Sequence, residues 1–287
     1  MSSRACITML ASGAASRIFR TTLCLFLLSL AGNRIPAAAQ SLPATMVSAT
    51  DSDSQMAILA QARISVETLF QQSVNFSCTE RVTQSVLDRY DRSMYEEHSL
   101  FNYWFVADSG GKSLKFEESR KPIQAPFHDP GRTVLTTDGF GNMLLILHPA
   151  YAGSYKFHAD GNEVLEGLPT VKFRFESMLD TPSPLMLQVR GRNYSVALSG
   201  TVWIDSRNNT VVKLVVFNGS DMGDLGIKNF RSEIQYLPTK FGAPDESYSM
   251  PVLAVVDVET AKRHWRNIHR FTAYKRIQPA LQATEAN

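Results

Sequence analysis

Six histidines, His98, His128, His148, His158, His264 and His269, are the side chains of this sequence best suited to metal or acid–base chemistry. A catalytic zinc site takes its ligands at short fixed intervals, such as H-E-x-x-H, which sets two histidines i, i+4 on one helix face. No such pair occurs here, and His264 and His269, five apart on an extended segment, point to opposite faces. The segment Ser109-Gly110-Gly111-Lys112-Ser113 ends like a phosphate loop. Val106 stands where the first glycine is required and no helical pattern follows, so a hairpin turn accounts for it. No G-x-S-x-G elbow occurs, and Cys78 sits in an alternating apolar run with no base beside it, which reads as core. The residues therefore assemble no catalytic constellation, no metal site and no cofactor site, and the chain is read as a non-enzyme.

The strongest charge feature lies near the C-terminus, where Lys262, Arg263, Arg266, Arg270, Lys275 and Arg276 interleave with Trp265, Phe271 and Tyr274. That chemistry suits phosphate groups. In an exported protein it favours anionic lipid headgroups or a protein partner over nucleic acid, with peripheral membrane contact through Arg263, Arg266 and Arg270. A solvated edge strand guarded by its charges is the plainer account.

Export is read from the first 39 residues. They hold Arg4, Arg17, Arg20 and Arg34 and no acid, then an apolar run over residues 23–31, then Pro36 and Ala37-Ala38-Ala39 before Gln40. A basic start, a short apolar core and an A-x-A site make a secretory signal peptide (residues 1–39). The apolar run is about half of the ~20 residues that span a bilayer. Cleavage near Ala39 turns the net charge from +2 to about −2 and leaves Cys78 without a partner. A periplasmic or secreted location follows, and with 44% hydrophobic residues stability must come from a core.

The elements that must position any site divide into one helix and many strands. Residues 40–54 are small and polar and read as a flexible leader. Met56, Leu59, Ala60, Val66, Leu69 and Phe70 repeat with a helical period, with Asp51 to Ser54 as N-caps. From Phe76 the period falls to two: Phe76, Cys78, Val82 and Val86 alternate with polar residues, with a lapse at Glu80. Turns are read at Ser109-Gly110-Gly111-Lys112, Asp160-Gly161-Asn162, Gly191-Arg192-Asn193 and residues 205–209. About eleven strands follow, joined mostly by short turns. The fold class is α+β: a single strongly curved antiparallel sheet, a half-open β-barrel, with one long N-terminal helix and a short helix on the concave side. That short helix is residues 141–147, apolar and ended by His148-Pro149, for which a buried strand is the alternative. The half-barrel domain occupies residues 55–278, and residues 279–287 are a disordered tail.

The hairpin around residues 205–209 shows what such a sheet encloses. With Ile204 facing Thr210, the pairs are Val202 with Val212, Gly200 with Leu214 and Leu198 with Val216. Val196, Leu198, Val202, Ile204, Val212, Leu214 and Val216 then share an inward face, and Ser199, Thr201 and Lys213 point outward. Two accounts of this face stand: an ordinary packed core, or an apolar pocket that accepts an acyl chain. On the second, Leu198, Val202, Ile204, Val212, Leu214 and Val216 are the ligand-binding residues.

The segments Gly200-Thr201-Val202-Trp203-Ile204-Asp205 and Val211-Val212-Lys213-Leu214, behind an N-terminal helix in an exported chain, resemble the half-barrel superfamily of the periplasmic lipoprotein carriers LolA and LolB and the stress regulator RseB. Phe76-Ser77-Cys78-Thr79-Glu80, His148-Pro149-Ala150 and Phe271-Thr272-Ala273-Tyr274-Lys275 look most like its uncharacterised secreted relatives. The resemblance implies a half-open barrel whose concave face receives lipid or a lipoprotein acyl group. The irregular segments, residues 119–132 and 221–224, depart from a minimal carrier. The expected function is thus an envelope protein that binds a lipid or lipoprotein acyl group, or alternatively an interaction or sensory module that engages another envelope protein without carrying lipid.

Overall fold

Alternation with period two dictates most of the molecule. The computed structural model describes residues 5–9, 49–71, 75–108, 115–124, 135–137, 139–189, 192–219, 222–241 and 247–277. In chain order the elements are β1 (Ala5–Met9), α1 (Ala49–Gln71), β2 (Phe76–Leu87), β3 (Ser93–Asp108), β4 (Lys115–Gln124) and β5 (Leu135–Thr136). Two 3-10 turns, Asn142–Leu147 and Pro149–Ser154, precede β6 (Tyr155–Leu165), β7 (Leu168–Ser177), β8 (Leu185–Val189), β9 (Arg192–Ser195) and β10 (Leu198–Asp205). Then come β11 (Val211–Asn218), β12 (Ile227–Lys240), β13 (Ser247–Thr260) and β14 (His264–Arg276), with a 3-10 turn at Gly223–Leu225 between β11 and β12.

The protein is mostly β. Its main sheet has ten strands, not eleven, in the order β4-β3-β2-β14-β13-β12-β11-β10-β7-β6, each antiparallel to its neighbours. β4 and β6 remain its edges, so the sheet is open. The count falls because β8 pairs outside this sheet, as does β9, which breaks from β10 at Val196-Ala197. β9 turns into a second sheet of short strands, ordered β5-β1-β8-β9, in which β1 runs parallel to β8. β14 lies between β13 and β2, so the last strand closes against the first strand after the helix.

Three local readings change. The stretch 119–124, read as irregular, belongs to β4 and pairs with β3. Asp160-Gly161-Asn162 is a bulge inside β6, with Gly161 at φ 94° and the register shifting between Ala159 and Asn162. The β6–β7 turn is instead Glu166-Gly167, both at positive φ (50° and 83°), the combination a two-residue hairpin needs to match strand twist.

The helix covers one face of the main sheet. It starts at Ala49, so residues 51–54 form its first turns, where the Asp51 carboxylate favours the positive end of the helix dipole. Its buried side is Gln55, Leu59, Ala62, Val66, Leu69 and Phe70; Met56 and Ala60, read as inward, are exposed. Gln55 sits on this face because its amide donates to Asn162 Oδ1 at 3.0 Å. Residues 141–147, read as a short helix with a buried strand as the alternative, hold a 3-10 helix over Asn142–Leu147, and every side chain from Phe140 to His148 is buried. No described helix is long and apolar enough to cross a membrane.

Cys78 lies in this core, and burial pushes its thiol up to about 12, with Tyr274 hydrogen-bonding to it and the Glu80 charge nearby. We expect it to resist thiol reagents at about pH 8 while the protein is folded and to react fully once urea unfolds the chain. Rapid labelling of native protein would contradict this burial.

Candidate functional site

The β10–β11 hairpin brings five of the six apolar residues, all but Val212, into one core, in a register two residues away from the one read from the sequence over Leu198 to Val202. Val202 faces Leu214, Gly200 faces Val216 and Leu198 faces Asn218. A bulge between Trp203 and Ile204 sets Ile204 against Val211 and leaves Val212 as the extra residue. A slip of two preserves the faces. Leu198, Val202, Ile204 and Val216 are fully buried, and Leu214 nearly so. Lys213 points outward, paired with Glu233 at 2.6 Å and lying over the Trp203 ring at 5.4 Å. Five of the six belong to one continuous core with α1 and Met143 to Leu147; Val212 is buried outside it. Gly200 permits the close pairing, since a Cβ there would lie 2.0 Å from the Val215 carbonyl oxygen.

The apolar interior is filled by the chain itself. Met143, Leu144, Leu145, Ile146 and Leu147 sit in it as a plug, below 4% exposed. A crevice between Leu69, Phe76, Phe105, Leu144, Met250 and Tyr274 has room of only about 10 Å³, about the size of one water probe. A larger hollow of about 310 Å³ opens beside the helix start, between Gln55, Ile58, Asn162, Glu163 and Thr170. None of the six residues lines it.

A buried polar cluster anchors the plug. Glu80, the lapse in the β2 alternation, is fully buried on the inner face and accepts two bonds from the Arg120 guanidinium, 2.5 Å at Oε2 and 2.7 Å at Oε1. Its Oε1 also meets His269 Nδ1 at 2.8 Å. His269 Nε2 meets Thr137 Oγ1 at 2.6 Å, and Asn267 Nδ2 donates to the same oxygen at 3.1 Å. A neutral imidazole donating from Nδ1 and accepting the threonine hydroxyl at Nε2 satisfies every one of these bonds. Burial pushes the Glu80 carboxyl up, but the His269 hydrogen bond and the Arg120 charge outweigh it and hold the group below the usual carboxylate range. Burial holds His269 below its ordinary value despite Glu80.

Beside this cluster Glu118 grips the plug directly. Its carboxylate accepts the Gly139 N–H at 2.9 Å, the Asn142 N–H at 3.0 Å and the Tyr103 hydroxyl. The Tyr236 hydroxyl donates to the Phe140 carbonyl at 3.0 Å. Gly141 is needed where the turn crosses β3, because a Cβ would meet the Phe105 ring at 2.1 Å. The plug nevertheless carries two buried polar atoms with no hydrogen-bond partner among the described residues, Asn142 Oδ1 at its start and His148 Nε2 at its end. Each such atom costs about 1–3 kcal/mol.

Thr137, His269 and Glu80 have the order hydroxyl, imidazole, carboxylate that activates a nucleophile. Thr137 is buried, however, and the nearby Gly139 and Asn142 N–H groups are spent on Glu118. The arrangement supplies neither access nor free oxyanion donors, and holds the segment in place instead. The remaining histidines do not converge. His264 lies between Asp91 and Asp257, His98 pairs with Glu96, His148 packs on Phe70, and His128 is outside the described residues. Of the three arginines read as membrane contacts, Arg266 is held by Asp257 at 2.7 Å, Arg263 sits in the β13–β14 turn and Arg270 faces outward.

The chain is similar to LolA superfamily structures. A LolA superfamily protein from Nitrosomonas europaea matches with 10% identity over 78% of this chain and 94% of that one, at a TM-score of 0.35. A putative outer membrane lipoprotein-sorting protein domain from Vibrio parahaemolyticus matches with 11% identity over 78% and 93%, at 0.34. A DUF1329 family protein from Desulfovibrio piger matches with 8% identity over 78% and 92%, at 0.38. No family model matches the sequence, and no curated protein does.

Proposed function

We propose that this is an exported envelope protein, released after cleavage near Ala39, whose main sheet wraps as a half-barrel and binds a lipid or lipoprotein acyl chain. In this reading the chain enters the space now held by Met143 to Leu147 and lies against Leu198, Val202, Ile204, Leu214 and Val216, with Val212 at the rim. The observation that carries the reading is the plug itself. It is a run of five apolar side chains on a 3-10 turn, with an unsatisfied polar atom at each end, Asn142 Oδ1 and His148 Nε2. Moving out lets both atoms meet water, and an acyl chain replaces the apolar contacts that would be lost.

The test begins with protein purified from its own envelope. Native mass spectrometry should find co-purifying lipid. Adding fatty acid, phospholipid or acylated peptide at a hundredfold excess over the dissociation constant should stabilise the protein by about 2.7 kcal/mol, a melting-temperature rise of roughly 5–10 °C. Absence of bound lipid together with an unmoved melting temperature for all three ligands rejects acyl binding and leaves the interaction module as the better account.

A further inference from the structure

The outer face of the main sheet, the side away from α1, carries a charge arrangement that its own fold does not neutralise. Arg81 on β2 and Arg270 on β14 are direct cross-strand partners, both exposed. Like charges directly opposite repel and destabilise a sheet. Among the described residues neither side chain has an ion pair or hydrogen bond, because the nearby acids are engaged elsewhere. Asp257 is held by Arg266 and His264, Glu233 by Lys213 and Arg231, and Glu96 by His98.

Apolar side chains flank the two guanidiniums across the neighbouring strands. Leu100 lies across from Arg81 and Leu253 across from Arg270, both half-buried on the same face. Val255 and Ile268 form the next cross-strand pair, and Trp104 lies two steps along β3 from Asn102 on the outward parity. Thr79 and Thr272, paired one step from the arginines, add two hydroxyls. Two unpaired cations set among leucine, isoleucine, valine and tryptophan on a broad face match a headgroup–acyl boundary better than a soluble anion.

We propose that this outer face docks on an anionic phospholipid surface, with Arg81 and Arg270 on headgroup phosphates and Leu100, Leu253 and Trp104 at the boundary beneath them. The proposal is independent of what occupies the interior. It also replaces the membrane contact read from Arg263, Arg266 and Arg270: only Arg270 of those takes part, and its partner comes from a strand nearly 190 residues earlier in the chain.

The test is co-sedimentation of the protein, expressed with its own leader, with vesicles of phosphatidylglycerol and phosphatidylcholine or of phosphatidylcholine alone. Binding should require phosphatidylglycerol and weaken with added salt. At roughly fivefold for each basic residue near an anionic surface, Arg81→Gln with Arg270→Gln should weaken it about 25-fold. Removing two facing like charges should leave the melting temperature equal or higher, so misfolding does not confuse the result. Lys262→Gln with Arg263→Gln removes the same charge from the exposed β13–β14 turn and should cost far less. Equal binding to both vesicle types, or equal losses in the two double variants, overturns the proposal, the second outcome indicating net charge alone. Binding of an acidic peptide but of neither vesicle also overturns it, in favour of a protein partner.

Discussion

Glu80→Ala is expected to destabilise the protein by about 3–5 kcal/mol, because it leaves the Arg120 guanidinium without its carboxylate and His269 Nδ1 without its acceptor inside the core. The magnitude reflects an uncompensated buried charge and not the worth of the pair. Replacing Glu80, Arg120 and His269 together by leucine should therefore cost much less than Glu80→Ala alone. Urea midpoints of the single and triple variants decide this. Equal losses would mean that the cluster contributes through packing.

The same cluster gives stability a pH dependence whose sign is fixed. His269 has a folded pKa below its unfolded value of about 6.5, so the unfolded chain takes up a proton that the folded protein refuses, and stability is lost as pH falls below about 6.5. His148, also held low by burial, acts in the same direction. Glu80 has a folded pKa below its unfolded value, so its contribution is present above the ordinary carboxylate range and is lost as pH falls through the folded value. Stability should thus decline from about pH 6.5 downward, in two stages. His269→Gln should shrink the upper stage to the share of His148 and also weaken the lower one, because the His269 hydrogen bond helps hold the Glu80 carboxyl low.

Much of this arrangement was visible in the residues, and the part that was not has a common cause. Parity carried the inward face of Val202, Ile204, Leu214 and Val216, because a strand can slip by two without turning a side chain over. The bulge at Trp203, which adds the second residue to a slip begun at the turn, has no signature in a run of valines. The helix face was misplaced by one position, since Gln55 counts as polar in any periodic reading and its partner Asn162 lies 107 residues away. Glu80 was the available signal for the polar cluster, a charge on the apolar parity of β2. Its meaning depends on β14 lying beside β2, which brings His269 to it across 189 residues, and no local pattern encodes that adjacency. The same adjacency creates the Arg81–Arg270 pair on the other face.

Leu214→Ala is expected to cost about 2–5 kcal/mol, toward the upper end, because Leu214 is 1% exposed within the continuous core. Its neighbours on either side are strand partners, Val202 on β10 and Ile234 on β12, whose backbones are fixed by ladder bonds and cannot close over the gap. The deletion leaves a dry apolar cavity, and such a cavity binds small apolar molecules. If the interior is a site that an acyl chain enters, a fatty acid should recover part of the lost stability in Leu214→Ala and stabilise the wild type as well. If the interior is only a packed core, a small hydrocarbon should stabilise the variant, and neither ligand should move the wild type. Calorimetric melting of both proteins with octane and with a long-chain fatty acid separates the two outcomes, because only a displaceable Met143 to Leu147 plug lets the wild type respond.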